Sequence, residues 1–142
     1  YLFLAEDCKI CQYYTPILSQ LHEKYQHQQI GFIGLFPNRY STEEGIKNFK
    51  ETYKVPFVLK REYYQTRTKS FNATITPEVV VYNEIQKKIM YKGRIDDSYV
   101  SFGRRRRVVK NHELDTVLKL ISQGSEVALD NQPAVGCYIM AN

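Results

Sequence analysis

Two cysteines three positions apart, Cys8 and Cys11, lie at a junction between two sequence patterns. The apolar run 1–5 is typical of a buried strand, and the apolar spacing from Cys11 to about His27 predicts an amphipathic helix. A cysteine at a helix N-terminus lies beside unpaired backbone N–H groups and the positive end of the helix dipole, which stabilise the reactive thiolate. The pair therefore predicts a redox-active dithiol that requires no metal and no organic cofactor.

The same Cys-x-x-Cys spacing occurs in half of a zinc site, which needs two further cysteine or histidine ligands. The remaining candidates are Cys137, His22, His27 and His112, and none of them forms a second close pair. The strand before the cysteines and the helix after them therefore favour redox chemistry over metal binding.

The rest of the chain alternates between strand-like and helix-like segments. Short apolar runs predict strands at 30–36, 55–59, 78–82 and 88–91, the last two as a β-hairpin. Helices are predicted from the capping box at 41–44 to residue 53, over about 62–71, and over 112–121. Asn111 is a plausible cap for the last helix. This order predicts one α/β domain over 1–142, with a central mixed sheet flanked by helices and a C-terminal tail at 125–142.

The charge and hydropathy of the chain bear on whether it binds nucleic acid or spans a membrane. The formal net charge is +5, but the tract Arg104–Arg107 carries four of the positive charges and the remaining residues are nearly balanced. We therefore expect an exposed loop at the tract and no nucleic-acid partner. No run approaches the roughly 18 apolar residues of a membrane helix, so we expect no integral membrane segment. The first residues read as the middle of a strand, which suggests that an N-terminal part precedes them.

The motif around the cysteines resembles the active-site segment of the thioredoxin superfamily. The shared positions are Phe3, Ala5, Glu6, Cys8, Cys11, Pro16, Ile17, Leu18 and Leu21. Thr76-Pro77, just before a predicted strand, resembles the cis-proline loop of that superfamily, which packs beside the dithiol and meets the substrate backbone. The resemblance implies a thioredoxin-like three-layer sandwich with a cis Thr76–Pro77 peptide bond.

Further motifs resemble one branch of that superfamily, the TlpA-like and alkyl hydroperoxide reductase–thiol-specific antioxidant redoxins of bacteria. The motifs are Asp7-Cys8-Lys9-Ile10, Gly93-Arg94-Ile95-Asp96-Asp97, the arginine tract, His112-Glu113-Leu114 and Val135-Gly136-Cys137. They cover nearly the whole chain. Relatives of the TlpA type usually work outside the cytoplasm, so the resemblance implies a periplasmic or cell-envelope location.

The resemblance also implies roles for the site residues. Cys8 would be the attacking thiolate, more exposed than Cys11, and Cys11 would be the resolving thiol. Thr76 and Pro77 would bind the substrate, and the supporting positions would be Lys9, Ile10 and Glu6. The function implied is thiol–disulfide exchange with the disulfides or dithiols of protein substrates, with electrons supplied by an upstream redox partner.

Two departures from the superfamily pattern bear on mechanism. Leu2 stands where ordinary thioredoxins have a buried acid, so water, Glu6 or Glu78 would have to exchange the proton of Cys11. Ala5 stands where peroxiredoxins have the threonine that holds the peroxide, which disfavours a peroxide-linked activity. That activity remains one alternative, and a non-catalytic or metal-handling binding module with the same fold is another.

Cys137 leaves two interpretations open. It is either a small buried side chain or a third redox thiol that the tail delivers to the dithiol. The tail is long enough to place Cys137 either in the core or beside the dithiol. The alternation of Val135 and Ile139 with Gly136 and Tyr138 favours a pinned, strand-like segment, so we expect a buried free thiol more than about 7 Å from Cys8.

Overall fold

The computed structural model describes residues 1–141. In chain order its strands are β1 (Leu2–Phe3), β2 (Ile33–Phe36), β3 (Val58–Arg61), β4 (Ile75–Thr76), β5 (Glu78–Asn83), β6 (Lys88–Gly93), β7 (Tyr99–Ser101), β8 (Arg104–Arg105) and β9 (Cys137–Tyr138). Its helices are α1 (Lys9–Tyr25), α2 (Glu43–Tyr53), α3 (Thr66–Ser70) and α4 (Glu113–Ser122). None of the helices within residues 1–141 is long and apolar enough to cross a membrane.

The central sheet has the strand order β3-β2-β1-β5-β6. β1 and β2 pair in parallel, as do β2 and β3, because α1 and α2 each carry the chain back across the sheet between them. β5 pairs antiparallel with β1 and with β6, and the tight connection between β5 and β6 makes the predicted hairpin. The predicted central mixed sheet is therefore confirmed.

Side chains on the two faces of the sheet pack into separate apolar layers. One layer joins the sheet to α1, α2 and α4 and includes Leu2, Leu4, Phe36, Leu18, Phe49, Val79, Tyr91 and Val117. The other lies on the opposite face and contains Phe3, Leu35, Phe71, Ala73 and Val80. This division follows the two-residue period of the strands, since neighbouring residues point to opposite faces. The fold is the expected three-layer α/β arrangement.

The helix predicted over about 62–71 is shorter than expected. Gln65 has a left-handed backbone with φ of 56°, which ends any helix that would begin at Glu62. The Glu62 carboxylate instead accepts hydrogen bonds from the backbone N–H groups of Arg67 and Thr68, at 2.8 and 3.0 Å. The helix therefore begins only at Thr66, where this carboxylate satisfies its first N–H groups.

The segment 93–110, expected to be irregular, contains the β7–β8 hairpin. Arg104 to Arg107 are exposed, as predicted, but Arg104 and Arg105 form strand β8 rather than a loop. Asn111 is not the cap of α4, a role that falls to His112. The Asn111 amide donates to Asp97 at 2.9 Å instead, and it is one of the hydrogen-bond donors that the buried Asp97 carboxylate needs.

The predicted N-terminus of α2 provides a test of local stability. The cap is Thr42, one residue after the Ser41 that begins the predicted capping box, and its hydroxyl oxygen accepts from the N–H of Gly45 at 2.9 Å. We expect Thr42→Ala to lower the free energy of unfolding by about 0.5–2 kcal/mol, measured by urea denaturation. Thr42→Ser keeps the hydroxyl and is the control. Equal losses in both variants would show that the methyl group, and not the cap, stabilises this end of the helix.

Candidate active site at the cysteine pair

Cys8 occupies the N-cap position of α1, with an extended backbone at φ −83° and ψ 112°. It follows the central strand β1, and a hydrogen bond of 2.8 Å from the N–H of Leu4 to the carbonyl of Leu35 extends the pairing of that strand toward the site. The side chain of Cys8 makes no capping bond. The N–H groups of the first turn of α1 are therefore directed toward the cysteine with the helix dipole behind them.

Cys8 forms a disulfide with Cys137, and their Cα atoms are 6.2 Å apart. The expectation of a free Cys137 more than 7 Å from Cys8 is therefore wrong. The physical reason is strand pairing: the tail does not lie alone but pairs antiparallel as β9 with β4, which places Cys137 opposite Thr76. Thr76 in turn lies beside Cys8, since its carbonyl oxygen is 3.5 Å from the Cys8 sulfur.

Cys11, the remaining cysteine, is a free thiol one helical turn beyond Cys8. In this disulfide-bonded state Cys8 and Cys11 are both buried, at 1% and 0% exposed, so a greater exposure of Cys8 stays a prediction for the reduced protein. The disulfide to Cys137 brings the tail against Cys8 and removes it from solvent.

Burial raises the pKa of the Cys11 thiol from 9.0 to about 12, and the negative charge of Asp7 acts in the same direction. Hydrogen bonds to the Ala5 backbone and the Thr76 side chain oppose the shift without reversing it. Cys11 is therefore protonated at neutral pH while the tail is bound. Glu6 and Glu78, suggested above as proton acceptors, are engaged elsewhere: Glu6 with the Ser41 hydroxyl and Glu78 with the N–H of Thr74.

Thr76 and Pro77 form the other wall of the site. The peptide bond between them is cis, the conformation that the resemblance implied. Thr76 is fully buried, and its hydroxyl donates to the carbonyl oxygen of Cys137 at 3.2 Å while its side chain also hydrogen-bonds Cys11. One residue thus contacts all three cysteines, through its carbonyl and its hydroxyl.

The supporting positions predicted from the motif have different surroundings. Lys9 is exposed, whereas Ile10 is buried in the apolar layer under α1. The backbone carbonyl of Glu6 accepts from the Gln12 amide at 2.9 Å, and the Asp7 carboxylate accepts from the Tyr40 hydroxyl at 2.8 Å. These contacts hold the 5–8 turn to α1 and to the 37–41 loop.

Sequence reasoning missed three residues that hold the tail at the site. Asn38 and Gln65, which follow β2 and β3, bond the backbone of Met140, and Gly136 passes directly over the Thr76 carbonyl. The Val-Gly-Cys motif was the available signal for Gly136. Asn38 and Gln65 carried no signal, since an isolated amide residue after a strand is common in loops.

The described part of the chain, residues 1–141, contains no cluster of three or more His, Cys, Asp or Glu side chains that could hold a metal ion. Of the three cysteines, Cys8 and Cys137 are bonded to each other and Cys11 is a free thiol. The arrangement is suited to exchange between sulfur atoms.

The raised pKa of Cys11 predicts its reactivity. In the disulfide-bonded protein at pH 8, iodoacetamide should label Cys11 about a thousandfold more slowly than a free cysteine, and labelling should accelerate as the pH approaches 12. Because the pKa of Cys11 is higher in the folded chain than in the unfolded one, its contribution to the free energy of unfolding is fully present below pH 9. That contribution is lost as the pH rises through 12. The same protein in urea, with its disulfide intact, is the control. Labelling of the folded protein at the urea rate would contradict the burial of the thiol.

Comparisons with known proteins bear on the fold. No protein-family model and no curated protein matches the chain. Among solved structures, an uncharacterized conserved protein from Geobacillus kaustophilus matches with a TM-score of 0.86 and 22% identity, over 99% of this chain and 75% of that one. A hypothetical protein from Sinorhizobium meliloti matches with a TM-score of 0.84 and 20% identity, over 99% and 79%.

A third solved structure has a described activity. It is a secreted disulfide oxidoreductase from Mycobacterium tuberculosis, homologous to DsbE of E. coli, with a TM-score of 0.59 and 15% identity over 83% of this chain and 77% of that one. Together with the mixed sheet and its flanking helices, these similarities show that the chain has the thioredoxin-like fold.

Proposed function

We propose that this protein is a thiol–disulfide oxidoreductase that exchanges disulfides with protein substrates through Cys8, with Cys11 as the resolving thiol. The observation that carries the proposal is the Cys8–Cys137 disulfide at the N-terminus of α1, with a free thiol one turn away. Cys8 is thus placed to bond a sulfur that arrives on an extended segment beside Thr76. A cysteine that only fills space in a core has no such partner.

The exchange has two steps. The Cys8 thiolate attacks one sulfur of a substrate disulfide, and the other substrate sulfur leaves with the bonding electron pair and takes up a proton. Cys11 then loses its proton and attacks the Cys8 sulfur, so that a Cys8–Cys11 disulfide forms and the second substrate sulfur leaves. Two electrons pass from the cysteine pair to the substrate, and the dithiol of an upstream redox partner restores them.

Cys137 enters as an alternative partner of Cys8. Its thiolate can attack the Cys8 sulfur of a Cys8–Cys11 disulfide, which forms the Cys8–Cys137 bond and returns Cys11 to a thiol with no net change in oxidation state. A substrate cysteine bound beside Thr76 would occupy the same place as Cys137. Cys11 is then the thiol left next to Cys8, which supports its assignment as the resolving group.

The high pKa of Cys11 fits this order of events. While Cys8 is bonded to Cys137, burial keeps Cys11 as a neutral thiol and prevents it from attacking. Release of the tail would admit water to the site and lower the desolvation that raises the pKa. Asp7, whose charge already acts on Cys11, is the carboxylate best placed to influence that proton.

An extracytoplasmic location, in the periplasm or cell envelope, belongs to the same proposal. A disulfide persists in an oxidising compartment and is rare in the cytoplasm. The similar structure from Mycobacterium tuberculosis is described as a secreted disulfide oxidoreductase, and its fold is shared at 15% identity. The TlpA-like class named from the sequence motifs rests on those motifs.

Cysteine variants test the assignment of roles in an insulin-reduction assay with dithiothreitol. Cys8→Ser should lower the rate by at least about a hundredfold, to the background, because the attacking sulfur is lost. In the absence of dithiothreitol, the double variant Cys11→Ser/Cys137→Ser should accumulate a covalent Cys8–substrate disulfide, visible by mass spectrometry under non-reducing conditions, because it keeps neither thiol that could attack the Cys8 sulfur. Cys137→Ser is the matched control and should retain turnover, since it keeps both sulfurs of the pair.

Two results would contradict the proposal. Full activity in Cys8→Ser would remove Cys8 from the reaction. Background activity in the wild-type chain, with no trapped complex in Cys11→Ser/Cys137→Ser, would instead indicate a binding module that keeps the fold without the exchange.

A further inference from the structure

The tail is bound at the site in the manner of an extended peptide. β9 pairs antiparallel with β4, and the pairing continues beyond the strand through a hydrogen bond of 2.9 Å from the N–H of Ile139 to the Thr74 carbonyl. The Thr76 hydroxyl bonds the carbonyl of Cys137. These contacts are to the main chain, so they would hold another chain in the same register equally well.

One position of the tail has no room for a side chain. A Cβ atom at Gly136 would overlap the carbonyl group of Thr76, and it would lie 3.1 Å from Cδ of Pro77. The carbonyl group of Thr76 belongs to the backbone at the centre of the site, so it cannot move aside as a flexible side chain can. The residue immediately before the bonded cysteine must therefore be glycine in this register.

The positions after the cysteine differ in what surrounds them. Tyr138 is 82% exposed, so the site places no demand on the residue that follows the cysteine. Ile139 packs against the apolar layer that contains Phe3 and Phe71. At Met140 the site binds the main chain again, since its N–H donates to the Asn38 side chain at 2.7 Å and its carbonyl accepts from the Gln65 amide at 2.6 Å.

We propose that this edge of the site, formed by residues 74–77 with Asn38 and Gln65, is a sequence-selective peptide groove. Its substrates are extended protein segments with glycine directly before the reactive cysteine and an apolar residue two positions after it. The tail segment 136–140 is an internal copy of that substrate and competes with it. The inference rests on the proposed thiol–disulfide exchange and adds the substrate class and the competitor.

The tail remains near the groove when its disulfide opens. The N–H of Lys92 donates to the Asn131 side chain at 2.9 Å, and the N–H of Arg94 donates to the carbonyl of Gln132 at 2.9 Å. These bonds fix residues 131 and 132, shortly before the segment 136–140, independently of Cys137. A tethered competitor acts at a high effective concentration, so external segments gain access only when the docked tail is weakened or displaced.

The first experiment measures the internal copy in the full chain. Wild type, Gly136→Ala and Gly31→Ala are equilibrated in glutathione redox buffers, and the Cys8–Cys137 disulfide is quantified by alkylation and mass spectrometry. Gly136→Ala should lower the equilibrium constant for this disulfide about tenfold or more, because the overlap with Thr76 prevents docking. Gly31→Ala is the matched control, since a Cβ there meets no atom within 4 Å. An unchanged constant in Gly136→Ala would overturn the proposal.

The second experiment measures selection among external segments. The full chain carrying Cys11→Ser and Cys137→Ser is mixed with the peptide Ala-Val-Gly-Cys-Tyr-Ile-Met, whose cysteine is activated as a disulfide with thionitrobenzoate. The Cys8 thiolate attacks the peptide sulfur, thionitrobenzoate leaves with the electron pair, and its absorbance gives the rate. Each rate is divided by that of the same peptide with dithiothreitol, which removes differences in intrinsic reactivity.

Alanine in place of the peptide glycine should slow the normalised rate about tenfold or more, and lysine in place of the isoleucine should also slow it. Alanine in place of the tyrosine should leave it within about twofold, because that position faces solvent. Every peptide must displace the same tail, so the ratios report the groove alone. Equal rates for the glycine and alanine peptides would overturn the selectivity, while reaction of Cys8 with insulin would leave the proposed exchange standing. A Cys8 that reacts with neither insulin nor any peptide would overturn both.

Discussion

The position of the site depends on the burial of the first strand. Leu2, Phe3, Leu4 and Ala5 are each no more than 2% exposed, and Leu2 and Phe3 pair with β2 on one side and β5 on the other. A strand held on both edges and both faces cannot slip by one residue without moving apolar side chains to the wrong face. The turn after it therefore has a fixed direction, and Cys8 reaches the N-terminus of α1 at the same place as the cis Thr76–Pro77 loop.

The tail completes this site from outside the central sheet. One short stretch of the tail, residues 137–140, contacts the site in three ways. It pairs with β4, hydrogen-bonds Asn38 and Gln65, and forms the disulfide with Cys8. The main-chain bonds bring Cys137 into register, and the disulfide then joins sulfurs that are already close. Loop-closure entropy over a separation of 129 residues would make such a bond strongly stabilising relative to the unfolded chain. The same contacts that stabilise the tail also close the site.

Cys8 and Cys11 experience opposite electrostatic effects. At the N-cap, Cys8 lies where a helix dipole favours a thiolate, whereas Cys11 lies inside the helix where burial favours the neutral thiol. Two cysteines three residues apart are therefore chemically unequal. The proposed roles of Cys8 as the attacking thiol and Cys11 as the resolving thiol rest on this inequality. The inequality follows from the position at which α1 begins. Of the two residues between the cysteines, Lys9 is exposed to solvent and Ile10 is buried in the core.

The sequence by itself determined the class of fold, the order of most elements and the position of the cysteine pair at a helix N-terminus, because these depend on local periodicity, capping and spacing. The structures of the 93–110 segment and of α3 were harder to predict from the sequence. In these places the Asp97 and Glu62 carboxylates bind backbone N–H groups 13 and 6 residues away, which local periodicity does not indicate. Only the tertiary structure decided the partner of Cys8. Pairing between residues 61 positions apart, such as Thr76 and Cys137, leaves no periodic signal, because it depends on a strand edge that exists only after the sheet has formed.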